Sequence, residues 1–385
     1  MPSDLHPPSR ATCSLDTRDP AGRPLRLDAS HPARVWRAGQ AAGLPLTEAL
    51  DLLTGRPGGL LVGVLPYPDP GSQPASGATP ATLYLFDTCQ RLDPAIAHPA
   101  TTPGPAFRLT APFTPDWPPA GYIAGVRRIQ EYLAAGDAYQ VNLAQRHSAR
   151  YTGNPRQAYE HLRQHFQPPF AAWVDLGDRQ ILCLSPESFL EVNGRNVVTR
   201  PIKGTRPRHP DPVCDQWLAD ELRDHPKDRA ENLMIVDLLR NDLGKVCLPG
   251  SVRAPVLFEV QTFRNVHHLV STVTGTLADG SGPTELLQAA FPGGSITGAP
   301  KRRAMEIIRE LEPHPRDIYC GTLFWALPDG SFGSNIMIRT FLARDGVIHG
   351  WAGAGIVADS DPEAEADECS HKLQPLMDVL GDLGK

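Results

Sequence analysis

An α+β fold is predicted for this 385-residue chain by three observations. Strand-like runs come in hairpin groups, marked by the tight-turn pairs Gly177-Asp178, Asn193-Gly194, Asp329-Gly330 and Asp345-Gly346. Helical runs interrupt these groups and do not alternate singly with strands, which argues for antiparallel sheets over a doubly wound fold. No internal repeat of fixed period is visible.

Residues 1–35 are polar, Pro-rich and aperiodic and read as a loose arm. A helical stretch spans 45–53 and stops at Gly55. Strand-like runs at 59–65 and 82–86 flank a Pro/Gly/Ser-rich segment, 66–80, and the Pro/Thr cluster at 94–120 reads as a linker. Ile123, Val126, Ile129, Tyr132 and Leu133 recur at three and four, so 122–135 is a helix, stopped at Gly136-Asp137. Strands are expected at 139–146, 171–176, 180–184, 189–192 and 196–199, and helices at 212–222 and 227–239. A strand at 266–275 and a helix at 284–290 follow. The helix 300–311 opens with Pro300 in its first turn, the favoured place. Strands at 321–327, 331–343 and 347–353 precede a last helix, from Ser360-Asp361-Pro362 to about Leu380. The expected division is a Pro-rich N-terminal region, 1–118, partly packed on a catalytic domain, 119–385.

Composition narrows the function classes. Hydrophobic residues are 41% and charged residues 21%, enough to bury a core. A net charge of -6 argues against a general nucleic-acid binder. No run approaches the roughly 20 apolar residues of a membrane span, and no secretory signal is recognised at Met1-Pro2-Ser3, so a cytoplasmic compartment is expected. Seven cysteines without a CxxC favour neither a disulfide framework nor a zinc site. Twenty-one of 40 prolines fall in the first 120 positions, so regular structure is expected mainly after them. Only six of 37 basic residues are Lys, which makes a Lys in an unusual setting chemically informative.

In the last helix Glu365, Glu368 and Lys372 share one face. The acidic groups are either a solvated first turn favoured by the helix dipole or ligands. Glu231, on the helix 227–239, offers a partner carboxylate; two such groups with water and a substrate oxygen suit Mg²⁺. The glycine-rich run from Pro292 to Lys301 lacks GK[ST], so nucleotide binding is not favoured; its helix N-terminus can orient a carboxylate. Arg339, read inside a strand at 335–341, either pairs with a structural carboxylate or clamps a ligand carboxylate. Gly353-Ala354-Gly355 permits close backbone approach. Lys203, between Ile202 and Gly204, is either a turn lysine or a partly buried amine nucleophile.

Several stretches together resemble the chorismate-utilising enzymes: GDAYQVNLAQR (136–146), SPESFL (185–190), PIKGTRPR (201–208), DRAENLMIVDLLRNDLGKVC (228–247), VHHLVST (266–272), FPGGSITGAPKRRAMEIIRELEP (291–313), YCG (319–321), IRT (338–340) and GAGIVADSDPEAEADE (353–368). The likeness runs from about Gly121 to Leu380. It implies one large domain of two packed antiparallel sheets with outer helices and a cleft between them. By position, Glu231 and Glu368, with Glu365 beside them, resemble the Mg²⁺ ligands. Gly204 and Thr205 resemble the contacts to the ring carboxylate; Tyr319, Arg339 and the backbone of Gly353, Ala354 and Gly355 resemble those to the enolpyruvyl carboxylate, with Lys372 nearby. Glu187 resembles the general acid for the C4 hydroxyl, and His268 and Thr297 line the ring pocket.

Two positions select among members. Gln140 stands where water-adding members resemble one another in a Lys; an amide takes no proton from water, so a nitrogen nucleophile is expected. Lys203 stands where the aminodeoxychorismate-forming members have Lys and the anthranilate-forming ones Ala. The resemblance is closest to the aminodeoxychorismate synthase component I group, which implies conversion of chorismate and ammonia to 4-amino-4-deoxychorismate for 4-aminobenzoate and folate. The alternatives are an anthranilate synthase component I and a non-catalytic chorismate-binding subunit. No Cys has the G-x-C-x-G setting of a glutaminase nucleophile, so ammonia is expected from a separate glutamine amidotransferase subunit. No LLES-type tryptophan motif is recognised in the N-terminal third.

Overall fold

The computed structural model describes residues 11–18, 23–68, 78–93, 104–264 and 266–383. Two large antiparallel sheets dominate it. The first has the order Gly298–Ala299, Gln140–Thr152, Val347–Ile356, Thr340–Arg344, Arg179–Ser185, Phe170–Asp175, Thr12–Arg18, Pro24–Ser30, Gln90–Leu92. The second has the order Ile202–Pro207, Val266–Thr276, Asn196–Thr199, Ser188–Asn193, Phe332–Ile336, Thr322–Ala326, Leu60–Leu65, Ala81–Phe86, Arg34–Ala38.

Strand alternation builds two cores at once. In Phe170–Asp175, Ala172 and Val174 join the cluster shared with the second sheet, while Ala171 and Trp173 face the other way. In Arg179–Ser185, Ile181 and Cys183 point inward, and Leu182 and Leu184 point outward. The outward residues meet Val126, Ile129, Tyr159, Leu162, Ile307, Leu373 and Leu376, from the helices Pro119–Ala134, Pro155–Phe166, Lys301–Leu311 and Pro362–Asp382. The helix Pro226–Gly244 packs on the second sheet through Ile235, Val236 and Leu239. Side chains start these helices: His225 Nδ1 accepts from Asp228 N, and Asp361 Oδ1 from Ala364 N.

Two of the chain's crossings between the sheets lie side by side. It leaves the first sheet at Ser185 and enters the second at Ser188; it leaves the second at Ile336 and re-enters the first at Thr340. Ser185 Oγ donates to Ile336 O at 2.7 Å, Ile336 N to Glu187 O at 3.2 Å, and Leu184 N to Arg339 O at 3.0 Å. Glu187 and Arg339 therefore lie on one seam.

Most hairpins and helices fall where the sequence placed them, with these corrections. Within the expected loose arm, whose residues 1–10 and 19–22 lie outside the described residues, Thr12–Arg18 and Pro24–Ser30 instead form a hairpin inside the first sheet. Leu15 and Leu27 are buried there, and Arg26, 0% exposed, pairs with Asp28 at 2.9 Å and Glu160 at 3.2 Å. The single strand at 331–343 is two strands in different sheets, because Arg339 takes φ 49°; Arg339 is thus in the connection and not inside a strand. The helix Pro155–Phe166 and the strand Arg253–Thr262 were not foreseen. Pro300 is the N-cap of its helix, one position before the first turn. The expected linker, 94–120, contributes Thr114–Pro115 to the first sheet and ends in the start of a helix. Its residues 94–103, and most of the segment 66–80, lie outside the described residues. Among the described residues no helix is long and apolar enough to cross a membrane, and all seven cysteines are free.

Candidate active site

Short backbone excursions place the candidate side chains in one region between the sheets. Gly204, in the strand Ile202–Pro207, takes φ +80°, and a Cβ there would lie 2.8 Å from Asp228 Cγ. Only glycine fits this position without displacement. Its neighbour Lys203 projects toward the first sheet: its Nζ is 3.5 Å from where a Gly355 Cβ would be, and the same point is 2.7 Å from Gln140 Nε2. Lys203 Nζ also lies 3.5 Å from Glu231 Oε2, with both side chains mostly buried. Lys203, Gln140, Gly355 and Glu231 thus meet across the two sheets.

Glu187 is buried on the seam. Burial raises its carboxyl to about 7, against the opposing pull of Lys203, the Ile202 backbone and the Ser295 side chain. His268 is buried on the strand Val266–Thr276, where its Nδ1 is 2.9 Å from Thr205 Oγ1. Burial, with the Arg339 charge, lowers its pKa to about 4, so the imidazole is neutral at neutral pH. Thr297 is fully buried; its hydroxyl donates to Gly293 O at 2.9 Å, which leaves the oxygen's lone pairs able to accept.

The Arg339 guanidinium makes no hydrogen bond or ion pair among the described residues, and burial lowers its pKa. A partly desolvated guanidinium without a protein partner is costly unless an anion or water meets it. Tyr319 is buried with its ring stacked 6.2 Å from Trp351, and burial holds its phenol protonated, well above the usual value. Its hydroxyl lies 3.1 Å from where a Gly353 Cβ would stand. Lys372 Nζ donates to Gly353 O at 3.0 Å and pairs with Glu368 at 2.7 Å, so it fixes the Gly353–Gly355 backbone. Gln140 is fully buried, and neither atom of its amide has a partner. An orphaned donor and acceptor at one point mark a place where a polar ligand is expected.

The carboxylates converge on Lys227, a residue the sequence reading missed. Its Nζ is 3.6 Å from Glu365 Oε1. Burial works against its charge, but Glu365, Glu231 and Glu368 outweigh that and raise its pKa. Burial also works to raise the Glu368 carboxyl; Lys372, Lys227 and Lys203 outweigh it and hold the group below the usual range. Glu365 is raised by burial, although Ser360 Oγ donates to it at 2.6 Å. Three carboxylates from two helices thus create a cation-selecting field with an all-oxygen donor set, the chemistry Mg²⁺ takes. Their donor atoms do not all lie within 4.8 Å of one another; among the described residues only the exposed group His209, Asp211 and Cys214 meets that criterion. One or two of the three carboxylates is the usual protein share for Mg²⁺, so the residues fit the ion.

Lys227 was legible in principle, four residues before Glu231 on one helix face and one of six lysines. Ser295 and Ser360 carried no signal in pattern, since each acts through a contact made only by folding.

The family of chorismate binding enzymes matches residues 76–378. The aminodeoxychorismate synthase component 1 of Salmonella typhimurium is 49% identical over 297 residues, 77% of this chain and 63% of that protein. The anthranilate synthase component 1 of Streptomyces coelicolor is 46% identical over 284 residues, 74% of this chain and 56% of that protein. These two matches thus span under two thirds of the relatives' own length. The crystal structure of anthranilate synthase component I from Streptococcus pneumoniae superposes with a TM-score of 0.73 at 26% identity, covering 97% of this chain and 94% of that one. Two architectures that agree over nearly their whole length, together with a profile match over most of the sequence, make this chain a member of the chorismate binding enzyme family.

Proposed function

We propose that the chain is a Mg²⁺-dependent aminodeoxychorismate synthase component that converts chorismate and ammonia to 4-amino-4-deoxychorismate, the precursor of 4-aminobenzoate in folate synthesis. The single observation that carries this reading is the Lys203 amine, set between the sheets beside Gln140 and Gly355 and 3.5 Å from Glu231. Ammonia comes from a glutamine amidotransferase partner, in the cytoplasm; the "component 1" of the 49% identical relative supports a partnered protein.

The substrate carries two carboxylates. Gly204 and Thr205 hold the ring carboxylate by backbone and hydroxyl, and Arg339, Tyr319 and the Gly353–Gly355 backbone hold the enolpyruvyl carboxylate. A partnerless guanidinium and a neutral phenol supply the charge and the donor that a carboxylate needs. Glu231 and Glu368, with Glu365 beside them, would hold Mg²⁺, which would supply positive charge to the ring carboxylate. Thr297 and neutral His268 line the ring pocket, His268 by orienting the Thr205 hydroxyl.

Glu187, with a pKa of about 7, carries the proton that the C4 hydroxyl needs in order to leave as water. Lys203 reacts as the neutral amine, its ammonium proton given up to solvent; as the C4–O bond breaks, that amine bonds to C2 and the ring double bonds shift. Ammonia then bonds to C4, the double bonds shift back, and the Lys203 amine is expelled from C2. Gln140 cannot deprotonate water; its unpaired amide orients the incoming nitrogen.

The test is intact-mass analysis of enzyme quenched with chorismate and Mg²⁺ in the absence of ammonia. The reading predicts an adduct of chorismate less one water on Lys203, absent in Lys203→Ala. No adduct, with undiminished amination by Lys203→Ala, overturns the covalent route. Anthranilate from the wild-type chain supports the rival reading, which the 46% identical relative keeps in view.

A further inference from the structure

The turn after the helix Lys301–Leu311 buries an ion pair that no substrate contact explains. Arg316 and Glu312 side chains are 1% and 6% exposed, with Nη2 to Oε1 at 2.6 Å and Nε to Oε2 at 2.9 Å. The remaining guanidinium donors leave the pair. Nη1 donates to Ile296 O at 2.7 Å, and Nη2 to Asn142 O at 2.8 Å. Glu312 Oε1 in turn accepts from Ala144 N at 2.9 Å. Arg316 O accepts from Tyr319 N at 2.8 Å, and the guanidinium lies 5.8 Å from the Tyr319 ring.

These partners are the immediate neighbours of the cleft residues. Ile296 precedes Thr297; Asn142 is two positions from Gln140, and Asn142 N donates to Thr297 O at 2.8 Å. One planar fork therefore ties together the strand Gln140–Thr152, the glycine-rich turn and the Tyr319 turn. Stability does not explain the pair, because desolvation of two buried charges offsets most of their attraction and an apolar pair would serve as well. Geometry does: only a guanidinium meets a carboxylate side-on and two separate carbonyls in one plane.

We propose that Arg316, held by Glu312, is a positioning residue that fixes Thr297, Gln140 and Tyr319 relative to one another through their backbones. It touches no substrate atom. The kinetic arm of its test rests on the chorismate-aminating reading above; the structural arm does not.

The experiment compares the full chain with Arg316→Lys and Glu312→Gln by hydrogen exchange and by steady-state amination of chorismate. A lysine keeps the charge but cannot reach the carboxylate and both carbonyls. Expected for Arg316→Lys is exchange at least about tenfold faster in peptides 140–145 and 293–299, with Leu60–Leu65 unchanged. The account also expects kcat/KM to fall about 10- to 100-fold, the scale of an ångström-level misplacement. Glu312→Gln should move both in the same direction by less, and it decides the matter if Arg316→Lys does not fold. Unchanged exchange in the two peptides, equal acceleration in the core strand, or kcat/KM within twofold of wild type overturns the proposal. A wild-type chain that forms no amino product from chorismate sinks the functional reading alone, and the exchange data still decide the role of Arg316.

Discussion

Burial raises the Glu187 carboxyl to about 7, and the nearby Lys203 charge, which pulls the other way, does not cancel that shift. A general acid must be protonated in the free enzyme, so kcat/KM should fall as pH rises through about 7. Glu187→Gln should lower kcat by about 10²- to 10⁴-fold and remove that limb of the pH profile; a profile unchanged by the substitution excludes Glu187 as the acid. Glu368→Gln should abolish Mg²⁺-dependent turnover while circular dichroism and the melting temperature stay near wild type, since the Glu368 side chain is 53% exposed and Lys372 keeps its bond to Gly353 O. Retained activity contradicts its place in the metal set. The likeness carried these residue types and positions into view before folding. It could not show that Lys227 gathers the three carboxylates, or that Arg339 lacks a partner, because both are facts of contact and not of pattern.

The decisive elements are the two adjacent crossings between sheets and the strand Ile202–Pro207. Hairpin turns such as Asp329-Gly330 and Asp345-Gly346 were legible because a tight turn needs particular residues at particular places. The break at Arg339 was not: Ile336, Ile338 and Phe341 read as one apolar run, and a non-glycine residue at φ 49° leaves no compositional mark. The N-terminal hairpin was hidden for a related reason. Cys13, Leu15 and Thr17 alternate at period two, but Ser14, Asp16 and the buried Arg26 make the segment look like loop; Asp16 pairs with Arg163, and Arg26 with Glu160 as well as Asp28, so two of these partners are far away in sequence. At Gly204 the element scale yields a prediction. An alanine would be strained at φ +80° and would meet Asp228 Cγ at 2.8 Å, so Gly204→Ala should weaken chorismate binding at least about tenfold, at a strain of about 1–3 kcal/mol. Titration of chorismate into the variant checks it; wild-type affinity removes the ring-carboxylate role from this backbone.

Across the whole molecule, the sheets hold a buried and a half-buried histidine whose neutral forms folding favours. His268 and His349 both have pKa values lowered to about 4, chiefly by burial. A group whose pKa is depressed on folding stabilises the fold above its unfolded pKa, and that stability is lost as pH falls through the folded value. The window here is from about 6.5 down to about 4, and for His268 the loss by pH 5 is about 2 kcal/mol. The melting temperature should therefore drop less between pH 7 and pH 5 in His268→Gln than in wild type, as scanning calorimetry would read; an equal drop contradicts the buried neutral state. The α+β class and the two packed sheets were legible at this scale, the first from hairpin grouping and the second from the family likeness. The integration of the N-terminal strands into both sheets was not, since it depends on long-range pairing such as Thr12–Asp175 and Trp36–Leu83.

The central claim is the product. Purified chain, chorismate, Mg²⁺ and ammonium are incubated at mildly alkaline pH and divided, with an aminodeoxychorismate lyase added to one half. The account predicts 4-aminobenzoate only in the half that receives the lyase. Anthranilate fluorescence in the untreated half would contradict it and would mean that Lys203 does not decide the fate of chorismate in this chain.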